Sequence, residues 1–301
     1  WTRDFLFYLS VDPILRKNYH DQLTLSTLYA YSEHYILTLG SRDVGSLEEF
    51  MAKLPGDEKQ KLAQVREAYS YMMVHPGCKM MAPGAAIPEE LGKCIQALNT
   101  LYKSSPALYQ MDDEYDGFEW VQLMKYEENV ITFLRKTEKP EETLLVICNF
   151  AAIPYENYQV GVPFAGKYKE IFNSDAAEFG GEGVVNSRVK TAKAEECDER
   201  EYSIKVKLPA LGVSIYSCTP GKAPARKKVT AAKTAKDKTA KDKTAGKLVR
   251  TVKAKTPAKK SVKEEKATKV EEAVKAEKKA ETVKKRATVK NDNNKADRNS
   301  K

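Results

Sequence analysis

The sequence predicts an α+β chain in three parts. These are the last part of a (β/α)8 barrel over residues 1–110, an antiparallel β-sandwich over 111–219, and a disordered Lys-rich tail over 220–301. Three observations predict it. Residues 1–110 run in the order strand, helix, strand, helix, which suits the closing units of such a barrel and is far too short for a whole one. Residues 111–219 carry short apolar runs punctuated by turn residues about every 8–12 positions. Residues 221–301 hold 28 Lys and Arg against 10 Asp and Glu, a net of +18, while residues 1–220 hold 23 against 32, a net of −9. The overall charge of +9 therefore describes neither part: the body is acidic and the tail is a polycation.

Each element has its own signal. Asp12 followed by Pro13 reads as an N-cap and first helical residue. Leu23, Thr27 and Tyr31, with Leu25 and Leu28, give a helical apolar spacing that stops before Tyr35. The apolar run 35–39, closed by Gly40, predicts a buried parallel strand. Residues 57–74 predict a long amphipathic helix that Pro76 ends. A second short strand is expected at 79–82 and a second amphipathic helix at 89–103. Beyond Asp116-Gly117, strands are expected at 118–124, 130–136, 143–149, 167–173, 201–208 and 213–218. Thr234 to Lys247 (TAKDKTAKDKTAGK) is a near-perfect pentad repeat, and nothing aromatic follows residue 220. Such a segment buries too little surface to offset the entropy of ordering, so disorder is expected there, with transient helix over 262–285.

The five cysteines, Cys78, Cys94, Cys148, Cys197 and Cys218, are odd in number and lack CxxC spacing, which points to a reduced, cytoplasmic compartment. No apolar stretch reaches the roughly 18 residues of a membrane span. No signal peptide is visible, and a chain opening on Trp1 rather than Met is expected to lack its beginning.

Several runs then line up with one family. Residues 1–27 (WTRDFLFYLSVDPILRKNYHDQLTLST) resemble a W-x-x-D-x-x-x-Y…DP…R…YH-x-x-LTFS segment. Residues 54–79 resemble an MPGD…R…YMM-x-HPGKK segment. Residues 98–109, GFEW at 117–120, 129–135, CNF at 148–150 and EIFNSD at 170–175 follow in the same order. Together, from Trp1 to about Ser217, they resemble the C-terminal portion of the 1,4-α-glucan (glycogen) branching enzymes of glycoside hydrolase family 13. The resemblance implies an all-β domain packed on the barrel. It also implies a cofactor-free reaction that cleaves an α-1,4-glucan and transfers the released oligosaccharide to a 6-hydroxyl, making an α-1,6 branch. The partner it implies is α-glucan.

Within the family, the run YILTLGSRDVGSL at 35–47 resembles the strand end L-P-L-S-H-D-E-V that carries a paired His-Asp. Counted without gaps, Ser41 and Arg42 fall on the His and Asp positions. With one residue inserted at Gly40, Arg42 falls on the His and Asp43 keeps the Asp. No catalytic pair is intact under either alignment. Asp43 is the one candidate substrate-binding carboxylate, and its plainer reading is a solvated loop residue. The carboxylate nucleophile and acid/base that such chemistry holds roughly 5 Å apart are implied upstream of Trp1, so the chain is expected to be inactive alone. A guanidinium at this site opposes an oxocarbenium-like transition state rather than stabilising it. The loop at 80–87 (MMAPGAAI) is also shorter than the family's cleft loop.

The other candidates have plain readings beside the sharp ones. His20, His34 and His75 lack metal spacing and read as structural, and no metal is expected. Asp112, Asp113, Glu114 and Asp116 lack the ligand alternation of a Ca²⁺ loop and read as an exposed acidic turn. Tyr8, Tyr19, Tyr29, Tyr31 and Tyr35 read as core aromatics rather than sugar platforms. Gly180-Gly181-x-Gly183 lacks the helix that a phosphate loop opens. The tail reads as a solubilising extension or as a salt-sensitive contact for nucleic acid or another polyanion, without base-reading side chains. The alternative to an enzyme fragment is a non-catalytic glucan-binding or polyanion-binding protein.

Overall fold

The structure, a computed structural model, describes residues 1–28, 30, 36–82 and 87–222. The expectations for Tyr29, Tyr31, His34 and Tyr35, for 83–86 of the shortened loop, and for 223–301 of the tail lie outside the described residues.

Helix α1 (Thr2–Ser10) buries Phe5, Tyr8 and Leu9, one face at i, i+3, i+4 spacing. The Asp12-Pro13 pair, expected to start a helix, makes a turn instead. Asp12 Oδ1 accepts the Ile14 N–H at 2.9 Å, and a 3-10 segment follows at Arg16–Tyr19. The cause is Arg16: its wholly buried guanidinium donates to the Leu9 and Val11 carbonyls and holds the chain back against α1. The expected helix around Leu23 and Leu28 is a four-residue α2 (Asp21–Thr24) that continues as 3-10 turns at Leu25–Leu28.

Strands β1 (Ile36–Gly40) and β2 (Cys78–Ala82) pair in parallel, from Ile36 opposite Cys78 to Gly40 opposite Ala82. Between them lie α3 (Ser41–Val44), α4 (Leu47–Lys53) and α5 (Glu58–Val74), and α6 (Glu89–Ser104) follows. Ser46 with Glu49, and Asp57 with Gln60, form capping boxes that satisfy the first free N–H groups of α4 and α5. The expected amphipathic helix at 57–74 differs in one respect: from Gln64 to Val74 it is buried on every side. It runs between α6 and the β-sheet, so no face is left for water.

The remainder is β3 (Phe118–Gln122), β4 (Val130–Arg135), β5 (Leu144–Asn149), β6 (Tyr155–Val162), β7 (Gly166–Asn173), β8 (Lys190–Thr191), β9 (Tyr202–Leu208) and β10 (Gly212–Pro220). Six of them form one antiparallel sheet in the order β3-β4-β5-β10-β7-β8, and β6 pairs with β9 in a second. Neither β6 nor β8 was expected from the sequence. β6 reads YENYQVGV, whose exposed polar half hides the alternation.

Alternation along β4, β5 and β10 explains the layering. Ile131, Phe133, Val146, Cys148 and Ile215 face the helices and share a core with Phe5, Tyr71 and Met72. Val130, Leu134, Leu145, Ile147 and Tyr216 point the other way, into a core with Val160, Ile204 and Val206 of the small sheet. Every residue of β4 and β5 is buried because both faces are covered. Each large apolar side chain in these cores contributes about 1.5–3 kcal/mol by burial.

Candidate functional site

The strand end at Gly40 brings the candidate residues into a single helical turn, α3. Asp43 is half-buried there and turns its carboxylate back onto the strand it follows. Its Oδ2 accepts the Gly40 N–H at 2.9 Å, and its Oδ1 accepts the Thr38 hydroxyl at 3.1 Å. Thr2 of α1 donates to the Thr38 carbonyl at 2.9 Å and lies 3.3 Å from the Thr38 hydroxyl. Asp43 therefore closes the end of β1 onto α1, as a capping carboxylate does. Arg42 points to solvent, and Ser41 contributes the first residue of the turn. No second carboxylate is bonded into this turn among the described residues, and no group of three His, Cys, Asp or Glu able to hold a metal occurs among them. The turn can accept hydrogen bonds, and it lacks the paired acids that glycosyl transfer requires.

The described histidines are structural. His75 is fully buried: Nδ1 lies 2.8 Å from the Pro76 carbonyl, which can only accept, so Nε2 takes the Ser26 hydroxyl at 2.9 Å. Burial, with Lys79 and Arg135 nearby, pushes its pKa down to about 3 against the bond to Pro76. His20 Nε2 meets the Leu123 carbonyl at 2.7 Å, and burial lowers its pKa.

The acidic cluster at 112–116 is not simply an exposed turn. Asp112 is an inward anchor: Oδ2 accepts the Lys79 ammonium at 3.1 Å and the Gly77 N–H at 3.0 Å, while Oδ1 pairs with the buried Arg135. Burial pushes Lys79 down to about 8 even with Asp112 beside it. Among the tyrosines, Tyr8 is in the core, whereas Tyr19 is on the surface in an edge-on contact with Phe7 at 5.3 Å. The loop Gly180–Gly183 wraps a carboxylate of its own: Asp175 accepts the Glu182 and Val184 N–H groups, each at 2.9 Å. A side chain at Gly181 would meet the Asp175 carbonyl at 2.3 Å. The buried thiols are unreactive by position: burial raises Cys94 to about 12 and raises Cys148 as well.

Two features escaped the sequence reading. One is a buried polar centre. Arg16 donates to the carbonyls of Leu9, Val11 and Phe150 and pairs with Gln64, and Glu67 and Tyr8 lie close by. The other is an open groove of about 960 Å³ between α6 and β7, lined by Gln96, Thr100, Glu170, Phe172, Asn173 and Phe179 among others. Its two phenylalanines stack on each other, 5.6 Å apart, and are buried, so they offer no open ring face to a sugar. No helix among the described residues is long and apolar enough to cross a membrane.

Comparison with known proteins agrees with the β architecture. The family described as "Alpha amylase, C-terminal all-beta domain" matches residues 120–219. The 1,4-alpha-glucan branching enzyme GlgB of Oceanobacillus iheyensis is 36% identical over 238 residues, covering 72% of this chain and 37% of that protein. That of Aquifex aeolicus is 38% identical over 238 residues, covering 71% of this chain and 37% of that one. The chain thus spans little more than a third of the length of the curated relatives it matches. Among solved structures, an Anoxybacillus α-amylase overlays at a TM-score of 0.41 and 10% identity, covering 73% of this chain and 46% of that chain.

Proposed function

Because the matched part of this chain corresponds to the C-terminal portion of a glycoside hydrolase family 13 1,4-α-glucan branching enzyme, we propose that it serves α-glucan chemistry as a non-catalytic portion. On this reading, residues 1–110 supply the closing units of a barrel, and 111–219 supply the all-β domain packed on it. The described residues then contribute α-glucan contact and structural support, while bond cleavage and transfer to a 6-hydroxyl require carboxylates outside this chain. The observation that supports the non-catalytic part of this reading is the turn after β1. Its one candidate carboxylate, Asp43, is bonded to Gly40 and Thr38 of its own strand, and Arg42 beside it faces solvent. Affinity electrophoresis through gels containing amylose or glycogen tests the glucan contact. Retardation relative to a glucan-free gel is expected, and equal mobility in both gels would overturn it.

A second reading attaches to the tail. Residues 221–301 carry a net +18 without an aromatic side chain, which suits non-specific contact with nucleic acid or another polyanion. Binding to duplex DNA should then weaken steeply from low to physiological salt and disappear when 221–301 are deleted. Retention that persists at high salt, or that prefers one sequence, would refute a purely electrostatic tail.

A further inference from the structure

Tyr19, which the sequence places among core aromatics, lies on the surface. Arg16 is the cause. Its buried guanidinium pins the 3-10 turn Arg16–Tyr19 against α1 through the Leu9 and Val11 carbonyls, and Leu15 and Tyr19 on either side are left outside. On α1 itself Phe5, Tyr8 and Leu9 take the buried face, so Phe7 projects outward. Phe7 is 47% exposed and Tyr19 is 38% exposed. Their rings meet at 82° with centroids 5.3 Å apart, which makes a corner, one ring as floor and the other as wall. The surroundings are polar. Asn18 is exposed, and Lys17 pairs with Glu127 at 2.7 Å on the surface. The contact of His20 with the Leu123 carbonyl holds the turn that carries Glu127 and the exposed Tyr126 alongside. An open aromatic pair with a polar rim is a feature of ligand-binding surfaces.

We propose that Phe7 and Tyr19 form a platform for an α-1,4-glucan chain, with Asn18, Lys17 and Glu127 supplying hydrogen bonds to its hydroxyls. The inference rests on the proposed α-glucan contact and gives that contact a place. A pyranose carries C–H groups on its faces and hydroxyls round its rim. The C–H faces lie against aromatic rings, whose faces are negative, and the rim takes charged and amide side chains. Successive sugars of an α-1,4 chain turn relative to one another, so the chain bends into a corner. A β-1,4 chain is a flat ribbon and needs a flat row of rings. Size favours a sugar over a protein partner or a second copy. The two half-exposed rings offer roughly 200 Å², and Leu15 adds less than another ring. A stable protein interface takes about 800 Å² from each partner. The groove between α6 and β7 does not compete, because its Phe172 and Phe179 are buried.

The test titrates the full chain, isotope-labelled in its tyrosine rings, with maltoheptaose and separately with cellohexaose, and follows the ring signals by NMR. The signal missing in Tyr19→Phe identifies Tyr19. Maltoheptaose should shift that signal saturably, and cellohexaose should leave it in place. Phe7→Ala should weaken the maltoheptaose titration about tenfold, the loss of one stacked ring. Tyr19→Ala should lose most of the retardation in glycogen gels, and Tyr19→Phe should keep it. Melting temperatures should stay at the wild-type value, because both rings are exposed. The proposal is overturned if maltoheptaose moves other tyrosine signals and leaves Tyr19 in place, or if Phe7→Ala titrates as wild type does. In either case the wild-type chain still contacts glucan, and the functional reading stands. Equal shifts with the two sugars overturn it as well. So does a Tyr19 shielded without sugar in a dimer of the chain, seen by light scattering, which would assign the patch to a second copy. Should a variant fail to fold, the wild-type titration decides by itself. If no tyrosine signal moves and glycogen gels do not retard the chain, the functional reading fails and this inference fails with it.

Discussion

Arg16 Nη1 donates to the carbonyl oxygen of Phe150 at 2.9 Å, across 134 positions of sequence. The same guanidinium reaches Leu9 at 2.8 Å and Val11 at 3.1 Å and pairs with Gln64 of α5. One planar cation thus ties the first helix, the central helix and the end of β5 together in a site closed to water. Arg16→Lys is expected to lower stability nearly as much as Arg16→Ala, because an ammonium cannot supply the fork that several carbonyls require. Either change leaves buried acceptors unpaired, at a cost of about 3–5 kcal/mol. Urea unfolding monitored at two wavelengths checks this; a Lys variant as stable as wild type would contradict it.

Glu67 lies fully buried beside this centre, and neither carboxyl oxygen finds a hydrogen-bond partner among the described residues. Burial pushes its pKa well above the ordinary carboxylate range, only partly offset by Arg16. The folded state therefore favours the protonated acid. The stability it contributes is complete below the unfolded value of 4.5 and is lost as pH rises through the folded value. Glu67→Gln keeps the shape and removes the titration. Its melting temperature should gain on wild type progressively from mildly acidic to alkaline pH, whereas a difference independent of pH would refute a neutral Glu67.

His75 sets the opposite edge. Its folded pKa of about 3 lies below its unfolded value of 6.5, so the contribution is present above 6.5 and is lost as pH falls toward 3. Following the imidazole by NMR should show a neutral ring, protonated at Nδ1, throughout that interval while the protein is folded. A ring that titrates near 6.5 in the folded protein would contradict the geometry.

Asp112 holds two cations that are themselves largely buried, Arg135 and Lys79. Asp112→Asn should cost about 3–5 kcal/mol, the penalty for leaving a buried charge without its partner. The loss should persist in high salt, unlike any effect of breaking the exposed Lys93–Glu89 pair, which screening already weakens. A loss that vanishes in high salt would place Asp112 at the surface.

The sequence was informative where the signal is local. The stop at His75-Pro76 and the close of β1 at Gly40 are local, and local chemistry announced them. β6 was missed because Glu156 and Asn157 face water and break the apolar run. The wholly buried half of α5 was missed because Gln64, Arg66 and Glu67 read as a polar face, yet each lies against other parts of the fold. Arg16 and Asp112 escaped for the same reason: a charged residue reads as exposed until its distant partners are known. At the candidate site, the position of Asp43 at a strand end was legible. Its engagement by Thr38 and Gly40 depends on how the turn folds back, which no spacing encodes.

The most direct test of the account is proton NMR of amylose incubated with the purified full chain, beside a heat-killed control and an Asp43→Asn variant. With Asp43 committed to its own strand, and on the proposed reading of the chain as a non-catalytic portion, the α-1,6 anomeric signal should not rise above the control in either protein. A growing α-1,6 signal with wild type that Asp43→Asn abolishes would show that the turn after β1 is catalytic, and would contradict the account.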